Sequence, residues 1–203
     1  MEQRSDTWFA ARLGKVTASK ISDVVAKTKS GYGASRATYM TDLAIERLTG
    51  TPTEFYANAA MQWGTDVEPQ ARAAYEFLND AVVVEEGFIK HPTIAMSGAS
   101  PDGLVGDDGM LEIKCPMSKT HYATLLNGKI AKKYIDQMQW QMACAGRQWC
   151  DFVSFDPRMP EGLDFFCERV KRDDKYIEEL ETEVSKFLDE LNEQVTKLEG
   201  LKK

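Results

Sequence analysis

Histidine and cysteine, the usual side-chain ligands of transition metals, are scarce: two and four residues in a chain of 203. His91 and His121 have no partner at metal-ligand spacing and are assigned no role. Cys115, Cys144, Cys150 and Cys167 form no Cys-x-x-Cys pair, which argues against a zinc ribbon or a disulfide framework. An iron–sulfur cluster needs tightly grouped thiolates, and these are scattered, so reduced thiols in the core are expected. Long apolar runs are also missing, and the opening Met1-Glu2-Gln3-Arg4-Ser5-Asp6 has no signal-peptide core, so the expected location is cytosolic. No Pro/Gly/Ser-rich linker divides the sequence, and 43% hydrophobic content suits one core, so residues 1–203 read as a single domain. A long basic stripe is absent too, and the net charge is −7. Residues 173–203 hold ten acids and five bases, leaving 22 acids and 20 bases for the rest. That near balance is compatible with a locally basic groove for nucleic acid.

What is present is a compact set of acids and a lysine. Gly106-Asp107-Asp108-Gly109 is a strong reversal signal between Leu104-Val105 and Met110-Leu111, so the flanks should pair as antiparallel strands. A reversal centred between Asp107 and Asp108 puts Gly103 opposite Glu112 and Asp102 opposite Ile113, with the carboxylates of Asp102 and Glu112 about one ladder step apart, roughly 5 Å. Strand alternation points Glu112 and Lys114 one way and Leu111, Ile113 and Cys115 the other way, into a core. Phosphodiester hydrolysis needs a nucleophilic water, a clamp for phosphate charge and a stabilised leaving oxygen, and two magnesium ions supply all three. Asp102 would touch both ions and Glu112 one of them, with a backbone carbonyl, that of Ile113, and waters completing octahedral spheres; manganese can substitute. Lys114 would orient the attacking water or stabilise charge on the phosphorane. The competing interpretation is an exposed hairpin whose charges are simply solvated.

The remaining pattern is of mixed type. A helix should begin near Thr17 or Ser19, a mobile loop follows at Gly31-Tyr32-Gly33, and helices are predicted from Thr38 to Leu48 and from Thr65 or Asp66 to Leu78, with Pro69 in the first turn. Strands are predicted for Ala81 to Ile89, His91 to Ser97, Trp149 to Phe155 and Leu163 to Val170, and a helix for Lys132 to Ala145. Ile177, Leu180, Val184, Phe187, Leu188, Leu191, Val195 and Leu198 recur at spacings of three and four, an amphipathic helix expected to cover a sheet face. Trp63, Trp140 and Trp149 read as core residues at such positions.

Ser100-Pro101-Asp102-Gly103 and Leu111-Glu112-Ile113-Lys114-Cys115-Pro116 resemble the PD-(D/E)XK nuclease superfamily, and in particular the phage lambda exonuclease and YqaJ-type recombinase family. Further blocks carry the likeness over nearly the whole chain: Arg12-Leu13-Gly14 with Thr17-Ala18-Ser19, Trp63-Gly64 with Glu68 and Ala71-Arg72, Gln137-Met138-Gln139, and Asp156-Pro157-Arg158-Met159. The resemblance implies an α/β fold, a mixed central sheet flanked by helices with the C-terminal amphipathic helix outside. It implies a magnesium-dependent 5′→3′ exonuclease on double-stranded DNA that leaves 3′ single strands for a single-strand annealing protein, working as a homotrimeric ring around DNA in a bacterial or phage-infected cytosol. Glu68 would be an additional acid at the metals, although Thr65-x-x-Glu68 also reads as a helix capping box. Gln137 would sit beside the active site. Arg12 and Ser19 would bind a terminal 5′-phosphate, helped by a helix N-terminus, though the residues alone read as a surface charge and a cap. Lys29 would track the DNA backbone. Met61 falls where the family inserts an apolar wedge into the duplex end, here with methionine in place of leucine. Two rivals stay open: an endonuclease of the same superfamily, and a non-catalytic module binding DNA ends or recombination proteins.

Overall fold

The structure, a computed structural model, describes residues 2–53 and 59–202. Its centre is the ribbon the turn signal predicts, strands β7 (Gly103–Val105) and β8 (Gly109–Lys114), within a five-stranded sheet. Beyond β8 lie β9 (Trp149–Phe155), parallel to it, and β10 (Phe165–Lys171), antiparallel to β9; beyond β7 lies the short edge strand β4 (Val83–Val84). The sheet is therefore mixed, as expected. A second, three-stranded sheet joins β1 (Val16–Thr17), β6 (Ser97–Ala99) and β5 (Ile89–Lys90).

Alternation along β8 sorts its residues between two helices. Leu111, Ile113 and Cys115 pack with Val67, Ala71 and Tyr75 of α4 (Ala59–Asn79) on one face. Met110 packs with Met138 and Met142 of α6 (Lys132–Ala145) on the other. Both faces are covered, so Glu112 is 0% exposed and lies beneath α6 rather than in solvent. The C-terminal helix α7 (Asp174–Glu199) is amphipathic as predicted, and its apolar stripe faces away from the five-stranded sheet. Its buried Leu180, Val184, Phe187 and Leu191 join one core with Ile21 of α2 (Ile21–Val24), Leu43 of α3 (Ala34–Thr49), Trp140 of α6, and Val16 and Ala99 of the three-stranded sheet. Among the described residues, no helix is long and apolar enough to cross a membrane.

Several local expectations change. The reversal is a three-residue loop, Gly106 to Asp108, with Gly106 in the left-handed region at φ 55°. Gly103 therefore faces Leu111 instead of Glu112, and continuing that register sets Asp102 across from Glu112. Helix α4 begins well before Thr65 because Trp63 extends its apolar stripe into the core. Pro69 consequently lies in the helix interior, and Thr65 and Glu68 are not a capping box. The Gly31 loop is a small hairpin, β2 (Lys27–Thr28) with β3 (Gly31–Tyr32), tied to α7 by Lys27 and Tyr32, both bonded to Glu183 at 2.7 Å. The stretch from Ala81 to Ile89 is split between two sheets, and the strand near His91 is confined to Ser97–Ala99. Cys115, Cys144 and Cys150 are buried, but Cys167 is exposed on β10. Two helices had no prediction: α1 (Asp6–Arg12), capped by the Ser5 side chain, and α5 (Ser118–Asn127), whose one buried residue is His121. His121 bonds Ser154 Oγ at 2.8 Å and the Leu163 carbonyl at 2.9 Å, so it ties α5 to the sheet.

Candidate active site

The ends of β7 and β8 open into a cavity of about 870 Å³ lined by Asp102, Ile113, Lys114, Glu68, Met61 and Tyr134, among others. Asp102 is fixed by its own ribbon, its Oδ2 accepting the Ile113 N–H at 2.7 Å. Glu112 is fixed by α6: Gln137 donates to Oε1 at 2.7 Å and Gln141, one helical turn on, donates to Oε2 at 2.6 Å. Lys114 pairs with Glu112 Oε1. The structure thus brings Asp102, Glu112, Lys114 and Gln137 together, with the Ile113 peptide between the two acids.

The electrostatics are unbalanced. Burial raises the Asp102 carboxyl well above the ordinary aspartate value, and the Glu112 charge adds to the rise; Lys114 and the Ile113 N–H only partly oppose it. Burial works against the Lys114 ammonium as well, but Glu112 and Asp102 outweigh it and raise its pKa. Two acids therefore share one lysine, a deficit of positive charge at the cavity floor. Among the described residues no group of three His, Cys, Asp or Glu side chains is already gathered as a metal cage. Oxygen donors set next to a charge deficit nevertheless suit a hard divalent cation that keeps several waters.

Glu68 lines the same cavity, but its carboxylate is held by Arg4 and Arg72, each at 3.0 Å. Met61 is 41% exposed at the wall. A second cavity of about 390 Å³ shares Trp8 and Phe9 with the first and contains Arg12, Lys15 and Ser19 together with Asp42 and Glu46. Arg12 stacks on Trp8 at 4.1 Å and donates to Ser100 Oγ at 3.2 Å, which links this pocket to the segment leading into Asp102. Burial lowers the Arg12 pKa, with Tyr39 and Glu46 opposing. Ser19 is exposed in a 3₁₀ turn (Ala18–Lys20) ahead of the single-turn α2, whose cap position is Lys20. The expected helix N-terminus behind Ser19 is therefore too short to contribute much dipole. Lys29 is exposed on the β2–β3 hairpin and lines neither cavity.

Two residues escaped sequence reasoning. Gln141 carried a usable signal, since Gln137 and Gln141 stand four apart on one helix face. Arg4 carried none, because its contact with Glu68 spans 64 residues and depends on tertiary folding.

A family model for the YqaJ-like viral recombinase domain matches residues 7–148. The crystal structure of an alkaline exonuclease (LHK-Exo) from Laribacter hongkongensis is 55% identical, with 96% of each chain covered and a TM-score of 0.90. Its complex with dAMP gives 56%, the same coverage and 0.91. A phage-related exonuclease from Haemophilus somnus 129PT is 16% identical over 91% of this chain and 96% of its own, with a TM-score of 0.70, a likeness of fold alone. A search of curated proteins finds no match. The ordered motifs, the mixed sheet and these likenesses agree: the chain is a homologue of the alkaline exonuclease LHK-Exo and belongs to the YqaJ-like viral recombinase family.

Proposed function

We propose that the chain is a magnesium-dependent 5′→3′ exonuclease of double-stranded DNA that resects ends to 3′ single strands. The observation that carries this reading is Asp102 and Lys114 lining an open cavity, with Glu112 buried behind them and the one lysine shared between the two acids, beside a separate pocket built on Arg12. Asp102, Glu112 and the Ile113 carbonyl would hold the metal, two ions with manganese as a substitute, and Glu68 would join them on release from Arg4. Ions held there would supply an activated water and offset charge on the phosphate.

The side chains do the rest. Gln137 and Gln141 occupy one oxygen each of Glu112 and fix its orientation from α6. Lys114, paired with Glu112, would orient the attacking water or stabilise charge on the phosphorane. Arg12 has no ion-pair partner among the described residues, and a desolvated guanidinium suits bidentate binding of a terminal phosphate, with the Ser19 hydroxyl as a further donor. Such a pocket explains action from 5′ ends. Met61 stands at the cavity wall as the candidate wedge. Lys29 would meet DNA only beyond these cavities. LHK-Exo binds dAMP, and by likeness the product here is a 5′-mononucleotide. A homotrimeric ring, an annealing-protein partner and a bacterial or phage-infected cytosol complete the proposal on family likeness.

The test is linear duplex carrying a 5′ label, set against a covalently closed circle, in magnesium and in chelator. Mononucleotide release from 5′-phosphorylated linear ends, in magnesium only, is expected. Cutting of the closed circle would make the enzyme an endonuclease, and DNA binding with no cleavage in magnesium or manganese would make it a binding module; either overturns the reading.

A further inference from the structure

A groove adjoins the catalytic cavity on the side away from Arg12. It encloses about 430 Å³ between α5 and the start of α6 and is lined by Thr120, Asn127, Lys129, Lys133 and Tyr134, among others. Tyr134 is the partition between the two spaces. Its ring centroid lies 5.4 Å from Lys114 Nζ and 4.8 Å from Lys133 Nζ, and the ring stacks on Phe152 at 5.4 Å.

Sheet order fixes how the three cavities follow one another. Phe152 is the register partner of Glu112 on β9, whereas Ser100 and Asp102 lead into β7 on the opposite side of β8. The pocket of Arg12, bonded to Ser100, therefore lies to one side of the catalytic residues and the Tyr134 groove to the other. Lys129 and Lys133 are exposed at this groove and have no ion-pair partner among the described residues. Lysines interleaved with an aromatic ring are the composition of a surface that tracks a nucleic-acid backbone.

We infer that this groove binds the phosphodiester backbone of the strand being degraded, immediately 3′ of the bond that is cut. The inference rests on the exonuclease reading above. With the terminal phosphate at Arg12 and the next phosphate over Asp102 and Glu112, chain direction carries the following nucleotides past Tyr134. Lys129 and Lys133 then act as point charges on successive phosphates, without reading sequence.

The test is the double variant Lys129→Ala/Lys133→Ala, compared with wild type for binding of a 5′-phosphorylated duplex over a salt series. Both side chains are exposed, and an unchanged melting temperature checks folding. Affinity should fall about tenfold, and the slope of log K against log salt should shrink by about two. The loss should appear in KM and should be much larger for the duplex than for inhibition by a 5′-phosphorylated dinucleotide, which reaches Lys133 at the cavity edge but not Lys129. Lys129→Arg/Lys133→Arg should restore the slope. An unchanged slope in a protein whose wild type digests linear DNA would overturn the inference, as would an equal loss with the dinucleotide. Unchanged DNA binding with altered self-association in sedimentation would assign the face to protein contact instead. A wild type that digests no DNA would sink the exonuclease reading rather than this groove.

Discussion

Asp102 and Asp156 are both aspartates at the ends of sheet elements, yet the protein pushes their carboxyls in opposite directions. Asp156 is 0% exposed, and burial alone would raise its pKa, but hydrogen bonds from Arg158 and Ser118 hold it down to about 2. Arg158 supplies a fork, Nε to Oδ1 at 2.7 Å and Nη2 to Oδ2 at 3.0 Å, so this acid carries its counter-ion with it. Asp102 has one backbone N–H and a lysine shared with Glu112, and its pKa rises. A turn that serves structure is electrically closed, whereas the ribbon leaves room for a cation from outside. Buried carboxylates without a full complement of partners cost stability, and a site that retains that cost is a candidate for function.

The predictions probe this contrast, beginning with the largest effect. Lys114→Ala should lower the rate of nucleotide release by at least about 10²–10³-fold, the scale for losing one group that stabilises transition-state charge, while DNA affinity by fluorescence anisotropy stays near wild type. Unchanged turnover would remove Lys114 from the chemistry. Arg12→Ala should remove about 10–100-fold of the preference for 5′-phosphorylated over 5′-hydroxyl ends, corresponding to roughly 1.5–3 kcal/mol for charge-assisted hydrogen bonds. Equal losses on both ends would show that the pocket does not read the terminal phosphate.

The stability predictions have opposite signs for the two acids. Asp102→Asn should relieve burial and repulsion by Glu112, keep the bond to Ile113, and raise the metal-free melting temperature by about 2–4 °C for roughly 1 kcal/mol. Calorimetry showing a lower melting temperature would contradict the charge-deficit account. For Asp156 the folded pKa is depressed, so its contribution is fully present above the unfolded value near 3.8 and is lost as pH falls towards about 2. Asp156→Asn should therefore lower stability at neutral pH by about 1 kcal/mol and flatten the acid limb between about pH 4 and pH 2. A wild-type-like acid limb in that variant would show that the Arg158 fork is not the source.

Legibility followed how local each determinant is. Strict alternation in Met110-Leu111-Glu112-Ile113-Lys114 fixed which side chains go to which face, and α6 and β9 have the predicted limits. The ribbon register was displaced by one residue because Gly106 adopts a left-handed conformation and makes a three-residue loop, which no count of flanking strand residues reveals. Pro69 misled the start of α4, since packing of Trp63 and Val67 outweighs a missing backbone donor. Helices α1 and α5 bury almost nothing and so leave no apolar stripe to read. Asp102, Glu112 and Lys114 were legible because one ribbon carries them, whereas the Gln141 contact and the clamp of Arg4 on Glu68 arise only when distant elements meet.

Calorimetric titration of Mn²⁺ into metal-free protein tests the charge deficit most directly, with wild type, Asp102→Asn, Glu112→Gln and Asp156→Asn in parallel. Binding should be present in wild type and in Asp156→Asn and lost or severely weakened in both ribbon variants. Equal binding by all four proteins, or none by wild type, would contradict the assignment of Asp102 and Glu112 as the seat of the metal.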